Sequence, residues 1–367
     1  MISALLEWRD RLLGRGEAAI TVPVFDGALK ANRLIEDATV IATLDAPEDV
    51  ATDGRTLLVA DGARVLRLKD DRLEEIHRCA GNITALACLA EGGIALAIEG
   101  KEVRIEGGAH HGRQWSGVAG RSFNAVNAVA VNRHGHLLAT DGSDEHAIGA
   151  WKHDLMSLGR SGRLFELVPA DGSGRILAEG LRYAFGACEA GDETWVSESW
   201  RHHVIRVGGR TDGRPRSVTD SLPGYPSRLS PARGGGAWLT CFASRTQLVE
   251  FVLREHTYRK RMMAEVPPEY WIAPALNSGN TFLEPMQGAQ LKMMGIVKPW
   301  APPRSYGLVI RLNPQGLVRY SLHSRFDGSN HGVVAAAECG EKLYLVAKGN
   351  RRLLSLDVAA VERELGG

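Results

Sequence analysis

The chain of 367 residues is poor in several things that would declare a function. It has no run of the roughly 18 consecutive apolar residues that a membrane-spanning helix needs. Neither sign of charge is in excess: 44 Lys+Arg against 43 Asp+Glu leave a formal net charge of +1. That balance removes any net electrostatic case for nucleic acid or an acidic membrane. The pairs Lys260-Arg261 and Arg351-Arg352 are too short to be nucleic-acid patches. Cysteine is scarce. Cys79, Cys88, Cys188, Cys241 and Cys339 are odd in number, widely spaced and without a CxxC pair, as expected of small buried hydrophobes in a reducing, cytoplasmic compartment. No P-loop occurs, and no Gly-x-Gly-x-x-Gly follows a strand, so no nucleotide cofactor is expected. Ser227 has no Gly-x-Ser-x-Gly setting. No histidine pair has zinc-ligand spacing with a third partner, so His134, His136, His202 and His203 are expected as solvated turn residues.

Glycine, by contrast, is abundant: 42 residues, or about 11% against a usual share of roughly 7%. Seven Asp-Gly pairs, at 26, 53, 61, 141, 171, 212 and 327, read as tight hairpin turns. Between them lie short strand-like runs, not long helical periodicity. The length allows two domains or one large all-β domain. The runs align into six units, each a strand, a turn, a second strand, a polar tip and a third strand. Their inner strands begin near Pro47, Ile83, Ala125, Gly186, Ser227 and Val333; the third strand of the fifth unit is read as Leu248–Leu253. Units at roughly 40–60-residue spacing predict a six-bladed β-propeller, an all-β fold in one domain over 17–367. Ahead of it, Leu5, Trp8, Leu12 and Leu13 fit one face of a short N-terminal helix over 1–16, and the charges there do not suit a signal peptide.

Residues 254–306 break the rhythm. Five of the seven methionines lie here, with Trp271, Trp300 and a series of prolines. Such a segment is either an adaptable lid over a pocket or an insertion, such as a short helix pair, packed on the rim.

Glu198-Ser199-Trp200-Arg201-His202-His203-Val204-Ile205-Arg206-Val207, with Leu222-Pro223-Gly224-Tyr225-Pro226 after it, resembles the strictosidine synthase-like family. Pro47-Glu48-Asp49-Val50 and Asn127-Ala128-Val129 fit the same pattern, and the likeness covers most of 20–358. That family shares a six-bladed propeller superfamily with gluconolactonases, regucalcin and paraoxonases. The resemblance implies chemistry at the propeller axis. In the hydrolytic branches a calcium or similar ion is held there by a first-blade Glu and later Asn or Asp residues. Glu48 and Asn127 match two of these ligands, but Phe185 stands at the expected Asn and Ser227 at the expected Asp, with Arg228 beside it. The incomplete set predicts at most a weak hold on a divalent cation such as calcium. In the alkaloid-forming branch a sixth-blade Glu performs the condensation; Val333 takes that place, two residues after His331, which matches a family histidine.

The candidate residues follow. Glu48 is expected as an acid/base group at the axis, or else as the ion-pair partner of Arg228. His331 is the second acid/base candidate. Asn127 either orients a substrate carbonyl or caps the strand. Arg228 is a metal surrogate or an anion clamp. Phe185, Tyr225, Ser227 and Trp271 complete the expected substrate-binding set. The leading function is hydrolysis of a lactone or ester of a small apolar or aromatic metabolite. A non-catalytic propeller that binds a small molecule or a protein, and a condensing or lyase enzyme, are the alternatives.

Overall fold

The computed structural model describes residues 22–208, 216–279, 281, 283–285, 292–293, 296–297 and 304–365. The expected N-terminal helix over 1–16 lies outside them, as do Met286, Met294, Pro299, Trp300, Pro302 and Pro303.

Six four-stranded antiparallel sheets form the blades. Their first strands are Pro47–Thr52, Ile83–Cys88, Val126–Val131, Ala184–Ala190, Gly224–Pro231 and Val333–Cys339. Each packs on the first strand of the next blade, and the sixth packs on the first, so the ring closes around an axis. The sixth blade takes its outermost strand from the other end of the chain: Thr39–Thr43 pairs antiparallel with Arg352–Asp357. Closure of this kind leaves few exposed edges. The first and second strands are largely buried on both faces, as apolar runs such as Leu57–Asp61 require.

One irregularity recurs. In five blades the first strand skips a residue in its register with the second: Glu48, Thr84, Asn127, Phe185 and Val334. In blade 5, Ser227 and Arg228 together oppose Thr240. A β-bulge leaves its extra residue out of the ladder and re-aims its side chain. The fold thereby delivers one or two chosen residues per blade to the axis.

Two expectations are corrected. Leu248–Leu253 is not a strand; it lies in the helix Gln247–Arg254. Thr246 caps that helix by accepting from Val249 N, and Val249 and Val252 share its buried side. The third strand of blade 5 is instead Gly307–Leu312, so the insertion between strands two and three begins earlier than residue 254, after Ser244. Its second helix is His256–Glu265, which makes it a helix pair. Secondly, of the Asp-Gly pairs read as tight hairpins, Asp61-Gly62 joins Leu57–Asp61 to Arg64–Lys69, whereas Asp141-Gly142 is not a tight hairpin, because the next strand begins only at Gly162, and both aspartates are built into the framework. They are 2% and 0% exposed, and each accepts backbone N–H groups at the start of its own blade, Ala46 in one case and Ala125 in the other. Each also pairs with the first arginine of the third strand, Arg64 or Arg163.

Candidate functional site

Side-chain hydrogen bonds tie every blade to the next around the axis. Asp49 Oδ2 accepts from Leu86 N at 3.0 Å. Thr84 Oγ1 donates to the Val126 carbonyl at 2.7 Å, and Asn127 Nδ2 to the Ala184 carbonyl at 3.0 Å. Ser197 Oγ donates to the Ser227 carbonyl at 2.6 Å, and Thr240 Oγ1 reaches the Val334 carbonyl at 3.1 Å. Lys348 closes the ring by donating to Glu48 Oε2.

Arg228 lies across the centre. Its Nη1 donates to the carbonyls of Glu48 (2.9 Å) and Val334 (3.3 Å), and its Nη2 to that of Thr84 (2.7 Å). Glu48 Oε1 stands 3.5 Å from Nη2. Asp49 Oδ2 stands 3.2 Å from Nε, an ion-pair contact without the alignment of a hydrogen bond. Burial pushes the Asp49 carboxyl up, to about 6, against the opposing pull of Arg228 and of two backbone N–H groups.

The axial mouth is carried by Glu48 and Lys348, whose side chains are 14% and 35% exposed. Half-buried Phe185 holds its ring 5.3 Å from the Arg228 guanidinium, which in turn faces Glu48. Behind it is an aromatic wall. Trp151 meets Phe242 edge-on at 5.4 Å, Tyr183 stacks on Trp200 at 4.5 Å, and Phe242 lies 5.9 Å from Phe185. Trp200 is fixed by donating its indole N–H to Asp154 at 2.6 Å. The insertion covers this wall, with Met262, Trp271 and Ala273 in the same apolar cluster. Its segment around Leu276 presses on Gly349 and Gly332: a Cβ at Gly349 would fall 2.0 Å from the Leu276 carbonyl oxygen. Asn277 Nδ2 also donates to the Gly349 carbonyl at 3.0 Å.

Of the residues expected from sequence, Glu48, Phe185 and Arg228 meet at the axis. The others are turned into the framework. Asn127 is fully buried, with its amide oxygen bonded to Thr140 Oγ1 at 2.8 Å and its nitrogen to Ala184. Ser227 is fully buried on Thr240. Trp271 donates its indole N–H to the Val266 carbonyl at 2.7 Å. Tyr225 is fully buried among Trp200, His202 and Phe242. His331 is not joined to Glu48: its Nδ1 lies 2.8 Å from Ser305 Oγ and its Nε2 2.7 Å from the Arg325 carbonyl. His202, expected in solvent, is 6% exposed against Glu250, and His203 bonds Glu198 at 2.6 Å. Sequence reasoning did not find Lys348, Asp49 or Thr84. A signal was available for two of them: Asp49 follows Glu48 directly, and Thr84 takes the second place of its strand as Glu48 does.

The folded residues do not fit a resident divalent cation. Both polar atoms of Asn127 are committed, and the Arg228 guanidinium stands among the remaining oxygens. Among the described residues no three His, Cys, Asp or Glu side chains are grouped to hold a metal.

Fold and site together define a six-bladed β-propeller whose axis is crossed by an arginine. No family model matches the sequence. The chain is similar to adipocyte plasma membrane-associated protein of Homo sapiens, 24% identical over 323 residues that cover 80% of this chain and 70% of that one. The Rattus norvegicus protein of that name is 22% identical, covering 82% and 81%. Among solved structures, a gluconolactonase from Xanthomonas campestris superposes with a TM-score of 0.56 at 15% identity, covering 90% of this chain and 93% of that one. The calcium-binding protein regucalcin from Agrobacterium tumefaciens gives 0.53 at 11%, covering 87% and 92%. These likenesses establish the shared propeller fold. No helix among the described residues is long and apolar enough to cross a membrane.

Proposed function

We propose that the chain is a strictosidine synthase-like propeller that hydrolyses a small lactone or ester, with an apolar or aromatic body, at the axial mouth. The observation that carries this reading is Glu48, a carboxylate kept at the mouth between two cations, Arg228 and Lys348, and beside an aromatic wall. The wall offers apolar surface to the substrate body. Glu48 takes a proton from water as the water oxygen adds to the substrate carbonyl carbon. Lys348, the more exposed of the two cations, donates to the oxyanion that forms. The alkoxide then leaves and takes the proton back from Glu48. No step passes through a metal.

The test is turnover of a panel of aryl esters and lactones by wild type and Glu48→Gln. The variant should lose at least about 100-fold in kcat, the range expected for a general base. Wild-type activity in Glu48→Gln overturns the assignment.

The second reading, a binding propeller without catalysis, is favoured by the occupation of both Glu48 oxygens by cations. It would show as ligand-dependent thermal stabilisation with no turnover of any member of the panel.

A further inference from the structure

Five oxygens from blades 1, 2 and 6 converge on one guanidinium from blade 5. They are the carbonyls of Glu48, Thr84 and Val334 and the carboxylates of Glu48 and Asp49. The three carbonyls belong to residues that β-bulges take out of their ladders, so they lack a ladder partner within their own blade. Among the described residues, besides Arg228, only that of Val334 has a side-chain donor, Thr240 Oγ1 at 3.1 Å. Buried carbonyls and carboxylates facing one another without a donor or a cation would be strongly unfavourable. Carbonyl and carboxylate oxygens in this number are also the donor set that a hard divalent cation such as calcium takes. Arg228 is only 7% exposed in its side chain and has a second hold on the site through the Phe185 ring.

We propose that Arg228 is the resident cation of this propeller, a covalently attached charge filling an oxygen cage, and that truncating it converts the cage into a divalent-cation site. In that site Asp49 and Glu48 supply the carboxylates, and Glu48, Thr84 and Val334 supply the carbonyls. The wild-type chain therefore draws no stability from a divalent cation, whereas the truncated chain depends on one. This inference concerns the same axis but does not rest on the proposed hydrolysis, and its readouts involve no substrate.

The experiment compares thermal unfolding and calorimetric titration with calcium chloride for wild type, Arg228→Ala, Arg228→Met and Arg228→Lys. Wild type should unfold at the same temperature, within about 1 °C, in EDTA and in millimolar calcium. Arg228→Ala should unfold about 5 °C lower in EDTA, as expected when one partner of a buried charge cluster is removed. Calcium should restore at least half of that loss and titrate to one site. Arg228→Met, whose side chain fills the cage without charge, should be destabilised and not restored. Arg228→Lys keeps a cation in place and should lose least, so the series decides the matter even if Arg228→Ala does not fold. Stabilisation of wild type by calcium overturns the proposal, as does an Arg228→Ala protein that calcium leaves unchanged, or an Arg228→Lys protein no more stable than Arg228→Met.

Discussion

His202 at the tip of blade 4 and Glu250 in the first helix of the insertion stand 3.3 Å apart, Nε2 to Oε1, with side chains only 7% and 11% exposed. Arg245 Nε meets the same carboxylate oxygen at 3.1 Å. Burial alone would raise the Glu250 carboxyl, but its bonds and charge contacts with His202 and Arg245 outweigh that and hold it down to about 2. The cluster pins the insertion to the blade that precedes it. This matters because the insertion supplies the cover of the aromatic wall.

Glu250→Gln should therefore destabilise the protein by about 3 kcal/mol, since it leaves the buried Arg245 without its counter-charge. The loss should be local first. Limited proteolysis should cut the segment after Ser244 before the blades, and cleavage at the same rate as in wild type would contradict the anchoring role.

Acid should weaken the fold through His323. This ring is fully buried between Tyr306 OH at 3.0 Å and Ser321 Oγ at 2.7 Å, and burial, assisted by the nearby Arg325 charge, lowers its pKa to about 4. The folded value lies below the unfolded value near 6.5, so the unfolded chain binds the proton more readily. Stability from this group is present above pH 6.5 and is lost as pH falls through 4. Between pH 6.5 and 5 the loss should be about 2 kcal/mol, from roughly 1.4 kcal/mol per pH unit. Asp49, whose carboxyl is raised to about 6, acts in the opposite direction over its own window. The decisive comparison is thus the difference between wild type and His323→Gln in urea unfolding at pH 7 and pH 5. Identical pH slopes would refute the assignment.

Asn127 separates a structural role from a ligand role. Asn127→Asp replaces an amide N–H that donates to the Ala184 carbonyl with an acceptor, while leaving a good oxygen ligand. The structural role expects a loss of about 2–4 kcal/mol, because a buried carbonyl loses its donor and an anion is buried in its place. Calcium should not restore it while Arg228 is intact. Recovery of the melting temperature in calcium would make Asn127 a metal position after all.

The ring of blades was legible because each blade repeats the same alternation of buried strands and turns. Strand order within most blades follows the rule that consecutive strands pair, but Thr39–Thr43 completes the sixth blade from the other end of the chain, which no local pattern shows. The departures came where local pattern was ambiguous. Leu248–Leu253 is as apolar as a strand, and only its Thr246 cap and its packing on the cluster make it helical. His202 reads as a polar tip residue, but Glu250, 48 positions away, draws it inside. Within the candidate site, Glu48, Phe185 and Arg228 came from the family resemblance, which marks positions in the first strands of blades 1, 4 and 5. Lys348 was not legible, because nothing local to Lys348-Gly349-Asn350 shows that it faces a carboxylate 300 residues earlier.

The sequence by itself determined the blade count and where most of the first strands run, since periodicity and turn chemistry are local properties of the chain. It did not determine what the residues of those strands do to one another. Whether the axis holds a metal set or a charge-neutral cluster depends on where the bulges aim Glu48, Thr84, Ser227, Arg228 and Val334 once the ring has closed. Only the tertiary structure decided that, because the burial and opposite charges that pair Arg228 with Glu48 and Asp49 exist only after blades 1 and 5 face each other across the axis.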